Sequence, residues 1–353
     1  MRPAESGPGM QPEELSDGIP SYRWLVTHLK ADNKTASLQL CTTSIAFVAA
    51  WALSAWGFAQ GLSVIVILPV QVLAAGLLVR LFMFQHDCGH GSFFESKWLN
   101  NGIGSLLSVI TLTPYDQWRS THAFHHANNG NLDQRGVGDI HFFTVNEYLD
   151  LPFSKRLGYR IYRHPLVFFV LGPIYLFVLK HRIPIRAPDG RTRVVSVTLT
   201  NLAILGLFGA TSLIIGIQTT AKTQLPITWL ASIFGVWIFY VQHQFEGVNY
   251  WRRPSWCFKN GTLQGSSYYI LPKELNWFTA DIGIHHVHHL CSKVPNYRLR
   301  ECIDTYPRLR QINPLTLGKS FKAIYLTLWD EQHSRLVGFS ELNSISSARL
   351  KSE

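Results

Sequence analysis

Apolar residues in this chain come in long unbroken blocks rather than short periodic ones. Ser37 to Val79 contains no Asp, Glu, Lys or Arg and is rich in Leu, Val, Ala and Trp. One membrane helix needs about 20 apolar residues, so a block of roughly twice that length, with Gly57, Gln60 and Gly61 near its middle, predicts a helical hairpin with a very short turn. Val194 to Phe245 repeats the pattern: Lys222 is its only charged residue, and Gln218, Thr219, Thr220, Gln224 and Pro226 mark the expected turn. Four spans follow, at about 37–58, 62–84, 196–217 and 225–245. Gly102 to Thr113 and Leu166 to Leu179 are too short or too interrupted to add to them. The second carries Gly172 and Pro173 between Arg163 and Lys180, and it reads as interfacial or re-entrant. The expected organisation is a flexible polar tail over 1–36, one membrane domain over 37–331 and a C-terminal tail over 332–353. The first tail holds Pro3, Gly7, Pro8, Gly9 and Pro12 and lacks the hydrophobic core of a secretory signal.

Parity then places the polar segments. Residues 80–193 follow one hairpin and residues 246–353 follow the other, so both emerge on the same side of the membrane. Nearly all of the 32 Lys and Arg residues lie there, including the Arg-rich stretch from Lys155 to Arg193, and the positive-inside rule makes that side, and both termini, cytoplasmic. The formal net charge of +10 is then mostly topology. It favours anionic headgroups and steers acidic partners, and no nucleic-acid-binding motif accompanies it. The five cysteines show no CxxC pair and no framework spacing, which fits a reducing compartment.

The chemistry is carried by three histidine clusters on that side: His86-Asp-Cys-Gly-His90, His122-Ala-Phe-His125-His126 and His285-His-Val-His288-His289. Read as helices, they place imidazoles at i, i+3 and i+4, so each cluster directs ligand nitrogens from one face. Isolated histidines such as His28, His141, His164, His181 and His333 read as ordinary polar residues. Eight clustered histidines, with His243 as a possible ninth, exceed the three or four ligands of one zinc, which makes two metal ions the economical reading. Imidazole suits iron, zinc or copper, and the count alone does not choose among them. Ligation by Cys88 is disfavoured, because the i+2 position turns it away from the face shared by His86 and His90. The zinc-protease pattern H-E-x-x-H is absent. Iron activating O₂ against an unactivated C–H bond fits an imidazole-rich site beside lipid better than hydrolysis does.

Several further blocks accompany the clusters in fixed order. They are Trp118 and Arg119 before the second, Gly138-Asp139-Ile140, Thr144-Val-Asn-Glu147-Tyr148, and Gln242-His243 followed by Phe245-Glu246. Tyr162 to Pro165, Leu171 to Tyr175, Gly265-Ser266-Ser267 and His289 through Val294-Pro295-Asn296-Tyr297 complete the set. Over roughly Leu40 to Glu331 the chain resembles the membrane fatty acid desaturases, above all the acyl-lipid enzymes of the omega-6, or delta-12, and bacterial delta-5 kind. The resemblance implies an all-α integral membrane protein with four transmembrane helices in two hairpins and a cytoplasmic helical cap holding a di-iron site. It implies as ligands His86 and His90 of box one, His122, His125 and His126 of box two, and His285, His288 and His289 of box three. His243 is the ninth, His286 is left out, and Asp139 and Glu246 are candidates to support the ligands from behind; Asp87, Asp116 and Asp281 also lie close to ligands in sequence.

The activity so implied is O₂-dependent insertion of a cis double bond into the acyl chain of a membrane lipid, with two iron ions as cofactor and O₂ as co-substrate. Two electrons would come from ferredoxin or a separate cytochrome b5, since no His-Pro-Gly-Gly haem motif is present. A bacterial inner membrane is the implied setting. Two alternatives are a fatty acyl hydroxylase, epoxygenase or acetylenase on the same iron site, and a histidine-rich metal transporter. The transporter would require ligands near the bilayer midplane, where the two hairpins have essentially none.

Overall fold

The computed structural model describes residues 18–342. Four helices in it are long and apolar enough to cross a membrane: the first span Asn33–Ala59, the second Val64–His90, the third Val194–Ile215 and the fourth Ile217–His243. Asp32 caps the first by accepting from the amides of Lys34 and Thr35. Gly61, at φ +77°, turns the chain into the second. The second and fourth spans form the enclosed centre of the bundle. Half of the most apolar window of the second is buried, against 6% for the third, which lies at the periphery.

The second hairpin turns earlier than its polar residues suggest. Gly216, at φ +83°, makes the whole connection, a conformation that glycine adopts without a Cβ penalty. Gln218 to Pro226 therefore lie inside the fourth span. Two of them bond across to neighbouring helices: Gln224 Oε1 accepts from Trp51 Nε1 at 2.8 Å, and the Lys222 carbonyl accepts from Gln71 Nε2 at 2.9 Å. Leu166–Arg182 is helical, with π-type segments around Gly172, and bends by 61° from the preceding helix Phe153–Tyr162. The pair is long and apolar enough to count as a further span. Boxes two and three nevertheless meet, which requires an even number of crossings between them, and the third and fourth spans supply it. With both of those crossing, a re-entrant Leu166–Arg182 keeps the two boxes on one side.

The remaining segments gather at the C-terminal ends of the second and fourth spans. Two small sheets tie them together: Phe143–Thr144 pairs with Leu328–Asp330, which pairs with Arg335–Val337, and Tyr268–Ile270 pairs in parallel with Pro314–Thr316. Two stretches expected as tails are ordered in part. Tyr22–His28 is a helix whose Leu25, with Leu29 just beyond it, is buried among Val287, Leu299 and Ile303, beside box three. At the other end Val337 and Leu342 are buried against Tyr148 and Tyr159. Apolar spacing within a polar composition hid both. The rest of the expected tails, 1–17 and 343–353, lies outside the described residues.

Candidate metal centre

Box one is the last turn and a half of the second span. Gly91, at φ +65°, ends that helix, and its amide returns to the carbonyls of Asp87 and Cys88. Box two lies on the helix Tyr115–Asn128, held against box one by the Tyr115 hydroxyl donating to the Cys88 carbonyl at 2.7 Å. Gly104 makes room for the Tyr115 ring, since a Cβ there would lie 2.3 Å from it. Trp118 stacks on the His122 ring at 4.5 Å between centroids, inclined by 18°. Box three occupies the short helix His285–Leu290, reached through Ala280 and Asp281, two consecutive non-glycine residues at positive φ. That conformation is uncommon for such residues and persists only where the surroundings fix it. His243 closes the fourth span, with Nδ1 3.2 Å from the Gly265 carbonyl.

These four elements bring nine imidazoles together in two groups. His86, His90, His122, His126 and His288 form one, and His125, His243, His285 and His289 form the other. Within each group the ligand nitrogens lie within 4.8 Å of one another. In the first, Nε2 atoms follow at 3.1 Å from His90 to His122, His122 to His126 and His126 to His288. In the second, they lie 3.1 Å apart for His125 and His243, 2.9 Å for His243 and His285, and 3.1 Å for His285 and His289. All nine are buried except His90, which is partly exposed. His286 stands apart, its Nε2 2.9 Å from the Leu309 carbonyl.

The donor set fits metal ions. Two nitrogens each about 2.1 Å from one ion and about 90° apart are separated by about 3.0 Å, which matches the spacing found. Without an ion, nitrogens of buried imidazoles crowd one another with too few protons to share among them. Burial, reinforced in most cases by the neighbouring rings, holds His122, His126, His285, His288 and His289 well below the usual imidazole range, and burial takes His125 down to about 3. Neutral imidazole is the ligating form.

The carboxylates divide differently from expectation. Asp87 accepts from His86 Nδ1 at 3.1 Å, while its second oxygen takes the amide and the Nδ2 of Asn296 at 2.7 and 2.9 Å. Asp139 lies 3.9 Å from His125 Nδ1, and burial raises its carboxyl above the usual range. Glu246 is exposed beyond the end of the fourth span. The turn after His243 brings Phe245 into the core and leaves Glu246 outside, so the sequence adjacency of Glu246 to a ligand carries no contact role. Asp116 pairs with Arg119 and Asp281 with Arg300.

A cavity of about 810 Å³ borders both groups, through His86 and His122 of the first and His285 of the second. Its walls are mostly apolar, with Leu78, Val79, Phe82 and Met83 of the second span facing Ile238 and Phe239 of the fourth. Reading the sequence did not single out these residues. Nothing in composition distinguishes a helix face that lines a cavity from one that packs in a core.

Residues 63–314 match the family model for fatty acid desaturases. The chain is 41% identical to a fatty acid desaturase of Bacillus subtilis over 314 residues, covering 89% of this chain and 88% of that protein. It is 32% identical to an sn-1 acyl-lipid omega-3 desaturase (ferredoxin) of Synechocystis, covering 74% of this chain and 71% of the relative. An sn-1 oleoyl-lipid 12-desaturase of Picosynechococcus is 27% identical, over 84% and 82% of the two chains.

Proposed function

We propose, from the fact that this chain belongs to the fatty acid desaturase family, that it inserts a cis double bond into an acyl chain of a membrane glycerolipid. Its activity is that of an oxidoreductase. The observation that carries the reading is the meeting of nine imidazoles, five and four, beside an apolar cavity of acyl-chain dimensions. His86, His90, His122, His126 and His288 would hold one iron, and His125, His243, His285 and His289 the other. Bound there, the irons supply the reduction of O₂ to two waters with two external electrons, two protons and two hydrogens taken from adjacent methylenes.

The protein's own contribution is positioning. The cavity face of the fourth span runs from Thr228 to Gln242, about 21 Å at 1.5 Å per residue, and ends beside the imidazoles. An acyl chain laid along it exchanges water for Leu78, Val79, Ile238 and Phe239, each CH₂ contributing about 0.8 kcal/mol when fully buried. Burial of the histidines keeps water from the reacting carbons. Orientation of two methylenes at one place on the chain is then the source of both rate and selectivity. Ferredoxin is the proposed electron donor, in keeping with relatives named as ferredoxin-dependent acyl-lipid desaturases. A bacterial inner membrane, with the histidines on the cytoplasmic side, is the proposed setting.

The test is a lipid profile of a host without polyunsaturated acids, expressing the chain with a ferredoxin system, beside a His125→Ala control. Mass spectrometry of derivatised esters is expected to locate a new double bond absent from the control. A hydroxy or epoxy acid would overturn desaturation while retaining the iron site, and an unchanged profile with iron fully bound would overturn both oxidative readings.

A further inference from the structure

The cavity that reaches the histidines also has a basic mouth. Lys180, His181 and Arg186 line it together with Leu176 and Phe177, and the exposed residues Lys180, Arg186, Val137 and Gly138 mark where it opens. Other cations of the same stretch are committed elsewhere: Arg182 donates to Asn201 and the Leu112 carbonyl, and Arg193 pairs with Asp189. Lys180 and Arg186 differ. Among the described residues neither has a carboxylate within 4.0 Å, and Arg186 spends only its Nε, on the Gly190 carbonyl at 3.2 Å. Next to them, the Nδ1 of His181 is buried without a hydrogen-bond partner. The one carboxylate on the cavity wall, Asp139, sits by His125 instead.

The surroundings of the mouth say how a ligand arrives. Tyr175, Val178, Leu179 and Ile183 are exposed apolar residues just before and within the basic stretch, and Val194 and Val195 open the third span just after it. Apolar surface meeting cations is the composition of the bilayer's headgroup layer. A ligand entering there comes sideways from lipid, with an apolar chain for the cavity and an anionic group left at the rim. A carrier arriving from water would meet this exposed apolar rim first.

We infer that Lys180 and Arg186 form a phosphate-binding site at the cavity mouth, which takes the phosphodiester of a phosphoglycerolipid whose acyl chain occupies the cavity. His181 Nδ1 is the adjacent partner for a polar group of the same head. This rests on the acyl-lipid reading above and names the carrier within it. Removing each cation is expected to weaken phospholipid binding about fivefold, the factor that corresponds to about 1 kcal/mol per basic side chain at an anionic lipid surface.

The experiment measures equilibrium binding of labelled dipalmitoyl-phosphatidylglycerol to the purified full-length protein in mixed micelles. Competitors are the dipalmitoyl diacylglycerol, which lacks phosphate, and palmitoyl-coenzyme A, which carries phosphate on a soluble head. The expected result is preference for the phospholipid over both, with its margin over the diacylglycerol reduced about 25-fold in Lys180→Gln/Arg186→Gln and restored in Lys180→Arg/Arg186→Lys. Lys155→Gln, on the separate helix Phe153–Tyr162, is the charge-matched control and should retain the preference. Equal binding of the diacylglycerol, tighter binding of the coenzyme A ester, or a preference that survives the double substitution would each overturn the site. The measurement needs no turnover, so a protein that binds as expected but makes no double bond refutes the desaturase reading and leaves this one standing.

Discussion

Asp87 is the sharpest handle on the site, because one carboxylate fixes both a candidate ligand and the start of the helix Asn296–Thr305, more than two hundred positions away in sequence. Its Oδ1 orients His86 through Nδ1 at 3.1 Å, and its Oδ2 accepts two bonds from Asn296. Asp87→Asn keeps the shape and removes the charge. One of its two terminal atoms then becomes an amide donor, facing either the Asn296 donors or His86 Nδ1. Bonds to a charged acceptor are worth about 1.5–3 kcal/mol each, and a buried donor left unmatched costs about 1–3 kcal/mol. Loss of the partner behind a ligating histidine lowers metal affinity about 10- to 100-fold, or about 1.4–2.7 kcal/mol. The assay is an iron titration of the purified apoprotein against a competing chelator, with thermal melts alongside. A 10- to 100-fold rise in the dissociation constant is expected. Asp139→Asn should move it less, since 3.9 Å exceeds hydrogen-bond length. Iron binding unchanged in Asp87→Asn, or hit harder in Asp139→Asn, would refute the assignment of Asp87 as the residue that positions His86.

Other outcomes follow from single distances. Gly138→Ala places a Cβ 2.5 Å from the Thr121 carbonyl at a residue with φ +67°, so it should lower the melting temperature and cost about 1–3 kcal/mol, read by thermal denaturation. Ala231→Phe fills the cavity on the fourth span; product analysis should show a shift toward shorter acyl chains with iron content unchanged. Acid should destabilise the metal-free protein. Burial holds His286 at about 4 and His125 at about 3, so the unfolded chain takes up protons below about pH 6.5 that the folded chain refuses. Each such histidine then removes up to about 1.4 kcal/mol per pH unit between pH 6.5 and its folded value, and a melting temperature flat from pH 7 to 5 would contradict it.

Hydropathy was sufficient for the four spans because lipid imposes one rule on every residue of a long segment. It failed at the second turn for a local reason. Gln218, Thr220 and Gln224 look like turn residues, but inside a bundle a polar side chain can find a partner on the next helix, as Gln224 does at Trp51. The clustering of these histidines was legible because imidazoles repeated at i, i+3 and i+4 stand out in a sequence. Its supports were not, since any nearby carboxylate reads alike in sequence. Asp87 and Glu246 each neighbour a candidate ligand, and only the fold decides that one turns inward and the other outward.

The division of the histidines into two groups follows from helix phase. At about 100° per residue, i+4 lies about 40° past i, while i+3 lies about 60° short of it. In H-x-x-H-H the outer pair therefore leans to one side and the middle histidine to the other. Box two obeys: His122 and His126 join the five-membered group, and His125 joins the four. Box three obeys with the groups exchanged, His285 and His289 going to the four and His288 to the five. Two helices that face each other across the site, each giving two imidazoles to one group and one to the other, produce this crossing. The motif thus sorts its imidazoles into two adjacent groups rather than one larger one. That explains why box one, with only His86 and His90 at i and i+4, serves a single group. The remaining member of the second group, His243, has to come from elsewhere, and it comes from the end of the other central span.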